Sequence, residues 1–170
     1  YLDEDIALSS DRILMEPMAF ARILQAAEIA STDIVLDIAC ATGYSTAVLA
    51  QLAATVVGLE TDEAAVTAAE EQLAELQIDN AAIVVGDLKA GCEEQGPYDC
   101  ILINGAVEVL PAAYASQLAE GGRLVIIERK GRSSQAVLYA NRDGLVSRRE
   151  LFDAMAPILS GFQAANSFQF

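Results

Sequence analysis

Histidine is absent from this 170-residue chain, and basic residues are scarce: 10 lysines and arginines stand against 25 aspartates and glutamates, a formal charge of −15 at pH 7. Without imidazole there is no Ser-His-Asp or Cys-His catalysis, no imidazole proton shuttle and no histidine metal ligand. The acid excess argues against nucleic acid as the main partner, because phosphate backbones are held by surplus lysine and arginine. Cysteine is confined to Cys40, Cys92 and Cys100, an odd number with no C-x-x-C pair. A disulfide framework and a zinc site are therefore not expected, and a reducing cytoplasm is the expected setting. No apolar run approaches the ~18 to 20 residues that span a bilayer, and no basic-then-apolar leader opens the chain, so no membrane partner is expected.

What remains is mostly apolar. Such residues make up 54% of the chain and the mean hydropathy is +0.34, which excludes disorder despite the charge. One domain over residues 1–170 is expected, with a single sizeable core. Its charge is lopsided: residues 1–120 hold 21 acids and 3 bases, a net of −18, whereas residues 121–170 hold 4 acids and 7 bases, a net of +3. No linker, low-complexity stretch or internal repeat separates the two parts.

Apolar periodicity alternates between strand and helix. Pro17 suits a first helical position, and Met18, Ile23, Leu24 and Ala27 follow at helical spacing to about Ala30. Ile34–Ile38 reads as a short buried strand, Ser45–Ala54 as an alanine-rich helix and Thr55–Glu60 as a second buried strand. Thr61-Asp62-Glu63 caps a helix to about Leu76, whose Glu70, Glu71 and Glu75 form a solvated side. Ala82–Val85 and Cys100–Ile103 are further strands, and a helix runs from Pro111 to about Leu118. Arg123–Glu128, Gln135–Ala140 and Leu145–Phe152 are strand-like with gaps too short for a crossover helix, so they predict an antiparallel meander. The order as a whole predicts an α/β, doubly wound, mostly parallel sheet with antiparallel C-terminal strands.

Ligands of such sheets bind beyond the carboxyl ends of the strands, near the point where strand order reverses. After the first core strand the chain reads Asp37-Ile38-Ala39-Cys40-Ala41-Thr42-Gly43-Tyr44. Small residues at 39, 41 and 43 let backbone approach a ligand closely, and alanine fits such a loop where φ stays negative. Tyr44 breaks the G-x-G-x-x-G dinucleotide pattern; the spacing instead fits acid-x-G-x-G-x-G with Ala at the first two glycines, the signature of S-adenosylmethionine-binding methyltransferases. Glu60, followed by Thr61, ends the second strand where a carboxylate accepts from both ribose hydroxyls. Asp87-Leu88 follows the third strand, where a carboxylate accepts from an adenine amino group. Asp37 either faces the cofactor or satisfies loop amides. Asn104-Gly105 reads as a tight turn or as a contact to cofactor or acceptor, and Asp99, at the other sheet end, as structural. Cys40 reads as a space-filler, and the basic residues Arg129, Lys130, Arg132, Arg148 and Arg149 as exposed turn and edge charges.

On these residues the chain resembles the protein-L-isoaspartate (D-aspartate) O-methyltransferases, as a divergent member. The resemblance is carried by VLDIACATGYSTAVLA (35–50), VVGLETDE (56–63), IDNAAIVVGD (78–87), PYDCILINGAVEVLP (97–111) and LAEGGRLVI (118–126), and it continues into the C-terminal meander with Gln135. It implies a seven-stranded class I methyltransferase fold, S-adenosylmethionine as methyl donor and a protein or peptide carboxylate as acceptor. It also implies a further helical segment before Tyr1. By position, Ala39 to Gly43 (with Cys40, Ala41 and Thr42) line the methionine moiety, Glu60 the ribose and Asp87 the adenine.

One departure stands out. Family members carry Thr-Ile-Ser shortly before a proline, the serine hydroxyl lying at the active site, whereas this chain has Ile13-Leu14-Met15 before Glu16-Pro17. Met15, Asn104 and Gln135 are therefore the candidates on the catalytic side, with no established catalytic residue among them. A carboxylate acceptor, with an ordinary pKa near ~4, is ionised at pH 7 and needs no general base, which agrees with a histidine-free chain. Three readings follow: a carboxylate methyltransferase, a cofactor-binding paralogue without isoaspartyl activity, and a scaffold with an empty pocket.

Overall fold

A computed structural model describes residues 3–164, so the two extreme ends of the expected 1–170 domain lie outside the described residues. Near its start the chain makes a small antiparallel hairpin, Ile6–Ala7 (β1) with Ile13–Leu14 (β2), which strands of two residues give no periodic pattern to announce. Helix α1 (Pro17–Ala27) follows, with proline at its start as expected, and ends at Glu28 in the left-handed conformation rather than at about Ala30. Met18 points outward, 61% exposed, so the buried stripe of α1 is Ala19, Phe20, Ile23 and Ala27 instead.

The main sheet comprises β3 (Ile34–Ile38), β4 (Thr55–Glu60), β5 (Ala81–Val85), β6 (Tyr98–Val107), β7 (Leu118–Lys130), β8 (Ser133–Arg142) and β9 (Leu145–Asp153). Their spatial order is β5-β4-β3-β6-β7-β8-β9, parallel from β5 to β7 and antiparallel from β7 to β9. Strand order therefore reverses between β3 and β6. Helices α2 (Tyr44–Ala50), α3 (Glu63–Glu75) and α4 (Ala113–Gln117) fill the β3–β4, β4–β5 and β6–β7 crossovers, with Asp62 accepting from the Ala64 amide to cap α3 as the sequence predicts.

Buried residues alternate along the central strands. Val35, Val56, Cys100, Leu102, Val125 and Ile127 pack toward α1 and α2, while Leu36, Val57, Leu59, Ile101, Ile103, Leu124 and Ile126 pack toward α4 and the C-terminal tail. Period-two burial on both faces is what a parallel sheet covered by helices requires. Asp99 caps the far end of the sheet by accepting from the Ile34 amide at 2.9 Å, a structural role at the expected end.

Further expectations change, among them the first strand of the meander, expected over Arg123–Glu128 and observed as Leu118–Lys130. The helix expected over Ser45–Ala54 stops at Ala50, and the strand expected over Cys100–Ile103 extends from Tyr98 to Val107. Asn104-Gly105 is thus inside a strand and is not a tight turn. Gly105 is needed there for another reason: a Cβ at that position would sit 2.6 Å from two Leu159 atoms. After β9 the tail returns and pairs beside β6, with the Ala106 amide donating to the Pro157 carbonyl at 2.8 Å and the Leu159 amide to the Ala106 carbonyl at 3.0 Å.

Candidate functional site

Asp37, near the carboxyl end of β3, is fully buried and accepts from three side chains. The Ser45 hydroxyl donates to it at 2.7 Å, the Thr46 hydroxyl at 2.6 Å and the Asn104 amide at 2.7 Å. The Asn104 amide also donates to the Ile38 carbonyl at 3.1 Å and to Ser45 Oγ at 3.2 Å. Burial pushes the Asp37 carboxyl above its ordinary range, against the three donors, which pull it down. Asp37 thus meets side-chain hydroxyls rather than loop amides and ties the first turn of α2 to β3 and β6 at the reversal point. It does not line the cleft described below.

The loop that follows departs from expectation in its backbone. Ala39 and Ala41 adopt φ of +59° and +49°, the left-handed region, instead of the negative φ that makes alanine comfortable. Hydrogen bonds hold the turn in that shape: the Ala39 amide donates to the Leu59 carbonyl at 2.9 Å and the Gly43 amide to the Cys40 carbonyl at 2.9 Å. Gly43, at φ +86°, precedes α2 where a Cβ would come within 3.0 Å of Ala69. Ala39 joins the core, and Cys40 packs under α3 with Val66, Ala69, Leu73 and Ile83 as the space-filler expected, its thiol pushed far up by burial.

At the end of β4, Glu60 is 2% exposed, and its carboxylate is a hub of donors. Arg12, in the turn before β2, donates to both oxygens, Nε to Oε2 at 2.9 Å and Nη2 to Oε1 at 2.8 Å. The Ala41 amide donates to Oε2 at 3.1 Å, and the Thr61 amide and hydroxyl donate to Oε1 at 2.7 and 3.1 Å. Burial works to raise the Glu60 carboxyl, but Arg12 and the two amides outweigh it and hold it below the usual carboxylate range. The same pair raises Arg12.

Beside Glu60 lies a cleft of about 550 Å3. Ala41 and Thr42 form one wall, Thr61, Asp62 and the small residues Ala64, Ala65 and Ala68 of α3 another, and Asp87 with Leu88 a third. Asp87 is exposed and accepts from the Lys89 amide at 3.0 Å, while the Tyr114 hydroxyl anchors this loop through the Leu88 carbonyl. The cover comes from both ends of the described chain: Leu8, Ser9, Asp11 and Arg12 from the hairpin, and Ser160 and Phe162 from the tail. The Asp11 carboxylate accepts from the Ser160 amide at 3.0 Å, which joins the two covers.

Of the catalytic-side candidates, Met15 (7% exposed) and Asn104 come together around a slot of about 20 Å3 beneath the hairpin. Met15 packs with Phe20 and Ile23 in the core, so no hydroxyl reaches the slot from positions 13 to 15. Gln135 lies two strands away on β8, 3.4 Å from Asp153, and lines neither cavity. Arg148 donates through Nε and Nη2 to one Glu128 oxygen, Oε2, at 3.1 and 2.7 Å instead of standing as a free edge charge. Among the described residues no cluster of metal-ligating side chains occurs, and no helix is long and apolar enough to cross a membrane.

Sequence reasoning missed Arg12, Asp11, Ser160 and Phe162 as wall residues, and Ser45 and Thr46 as partners of Asp37. For Arg12 a signal existed: it is one of only 3 bases among the first 120 residues. A lone cation in so acidic a segment needs a carboxylate partner, although its identity follows only from the fold.

Comparison with known proteins gives a consistent picture. The family described as Protein-L-isoaspartate(D-aspartate) O-methyltransferase matches residues 1–156. A protein-L-isoaspartate O-methyltransferase of Roseiflexus castenholzii is 35% identical over 163 residues, covering 95% of this chain and 74% of the relative. One from Koribacter versatilis is 34% identical, covering 96% and 73%. Among solved structures, a protein-L-isoaspartate O-methyltransferase superposes with a TM-score of 0.85 at 24% identity, covering 95% of this chain and 54% of that one. A putative protein-L-isoaspartate O-methyltransferase from Plasmodium falciparum, in complex with S-adenosyl-L-homocysteine, gives 0.81 at 22% identity, covering 94% and 81%. At these identities the structures show the shared fold.

Proposed function

Because the chain belongs to the protein-L-isoaspartate O-methyltransferase family, we propose that it is an S-adenosylmethionine-dependent methyltransferase acting on a carboxylate. The observation that carries this reading is the convergence of Ala41-Thr42, Glu60-Thr61 and Asp87-Leu88 from three consecutive strand ends on one cleft of about 550 Å3, within the size range of small-molecule sites. The residues suit the cofactor's parts. Leu88 and Phe162 supply apolar wall for a base, Asp87 an acceptor for its amino group, and Glu60 an acceptor for ribose hydroxyls. The acids Asp11, Glu60, Asp62 and Asp87, offset by Arg12 alone, favour a cationic ligand.

When bound, the sulfonium supplies a methyl group to a carboxylate oxygen by in-line displacement, the electron pair of the broken C–S bond staying on sulfur. The chain's own residues provide position rather than proton transfer. Asp37 fixes Asn104 and the first turn of α2, so that the loop at 39–43 and the end of β6 keep one geometry. An ionised acceptor brings no proton to remove, so no residue has to serve as base. The peptide acceptor, the exclusion of nucleic acid and a cytoplasmic location are parts of the same proposal, supported by the family, the −15 charge and three free cysteines.

Met15 favours a second reading, a member that binds the cofactor and does not methylate isoaspartyl groups, because apolar side chains stand where the family has its hydroxyl. Titration with S-adenosylmethionine, followed by assay of S-adenosylhomocysteine formation on an isoaspartyl peptide, separates the readings. Binding with turnover supports the first, binding without turnover on any carboxylate the second. Absence of binding even when the Arg12–Glu60 contact is removed by substitution means a scaffold with an empty pocket. Glu60→Ala should weaken binding more than Asp99→Ala, and the reverse order would place the site at the wrong end of the sheet.

A further inference from the structure

Glu60 has no acceptor capacity left for a ligand. Its Oε1 already takes three donors and its Oε2 two, all within 3.1 Å. Two carboxylate oxygens offer about four lone-pair sites. The backbone donors at Ala41 and Thr61 belong to the turns that shape the site and cannot leave without dismantling them. Arg12 is different, because it reaches in from the hairpin across 48 positions of sequence and retains an ion pair with Asp11 at 2.9 Å that does not depend on Glu60.

A second observation concerns the same segment. The space between the hairpin (Leu8, Ile13, Leu14 and Met15) and the loop at 39–42 amounts to about 20 Å3, room for a single water and too little for a methyl acceptor. Beyond it, against Leu14, Met15 and Tyr44, opens a recess of about 570 Å3 that Glu4 and Asp5 also line. With the hairpin in place the cleft and the recess are separated. The segment from 8 to 15 therefore obstructs both the ribose acceptor and the passage toward an acceptor group.

We propose that Arg12 is an internal competitor for the ribose end of the cofactor, so that the hairpin is latched shut on Glu60 and must release before S-adenosylmethionine can bind. The inference rests on the cofactor reading above. It makes Arg12 the residue that sets cofactor affinity: the closed form is binding-incompetent, and apparent affinity is reduced by the fraction of molecules that are closed. Asp11 is the second latch through the Ser160 amide, and it keeps the freed guanidinium nearby for reclosure.

Calorimetric titration with S-adenosylhomocysteine tests this on the full chain, comparing wild type with Arg12→Met, Arg12→Lys, Glu60→Gln and the Arg12→Met/Glu60→Gln double variant. Arg12→Met should melt at a lower temperature without ligand yet bind at least ~10-fold more tightly, with Arg12→Lys between it and wild type. In the Glu60→Gln background the gain from Arg12→Met should shrink below about threefold, because the contested carboxylate is gone. If Arg12→Met binds no better than wild type while wild type binds measurably, the competitor role is wrong and the cofactor reading stands. A gain that persists undiminished in the Glu60→Gln background also overturns it, since Arg12 would then act elsewhere. If neither wild type nor Arg12→Met binds at millimolar ligand, the cofactor reading fails and this inference with it.

Discussion

Ala39 and Ala41 show how one atom per residue can be costly in a tight loop. Both adopt positive φ, where a Cβ crowds the following carbonyl and an L-residue is disfavoured by roughly 1–2 kcal/mol. Ala39→Gly and Ala41→Gly relieve that strain but free the unfolded chain, an opposing effect of about 0.5–1 kcal/mol. Each variant should therefore be more stable by about 0.5 to 1 kcal/mol, read as a higher urea midpoint at unchanged slope. A loss of stability in both would mean that the Cβ atoms have packing worth more than the strain. The acid-x-G-x-G-x-G spacing located this loop in the sequence, but the sign of φ at 39 and 41 was not legible there. It depends on the Leu59 carbonyl and on Glu60, which meet the loop only in the folded sheet.

At the scale of elements, the return of the tail to β6 is the connection on which the cleft's cover depends. Gly105→Ala would place a methyl group 2.6 Å from Leu159, against a side chain that is fully buried. Overpacking of this kind costs about 1–3 kcal/mol. Because Ser160 and Phe162 belong to the displaced segment, the variant should also bind S-adenosylhomocysteine several-fold more weakly. Stability loss with unchanged affinity would show that the tail covers the cleft without holding the ligand. Elements with strong periodicity were readable almost residue by residue, as with Ile34–Ile38 and Thr55–Glu60, while the meander was readable in its order and direction but not in the bounds of its first two strands. The two-residue strands at 6–7 and 13–14 were not, and neither was the irregular tail, because their pairing is set by partners far away in sequence. Those are also the elements that cover the cleft, which is why Glu60 and Asp87 could be placed at strand ends from sequence while the partner of Arg12 and the position of Phe162 could not.

For the whole molecule, charge distribution is the property with consequences at a distance. The cleft lies wholly in the −18 portion apart from its tail residues, and the +3 portion forms the far edge of the sheet. S-adenosylmethionine carries one more positive charge than S-adenosylhomocysteine. Raising ionic strength from ~10 mM to ~500 mM, which shortens the screening length from ~30 Å to a few ångströms, should weaken the cationic ligand about threefold relative to the neutral one. A ratio that stays flat with salt would mean that Arg12 has already neutralised the field the ligand meets. The bond between Asp11 and the Ser160 amide, 149 positions apart, has a temporal consequence as well. During synthesis the strands from β3 to β7 can pair as they emerge, but the roof over the cleft cannot assemble until residue 160 has left the ribosome. The cleft is thus completed only after every strand of the sheet has been made, and a nascent chain interrupted before residue 160 is a sheet without a finished pocket.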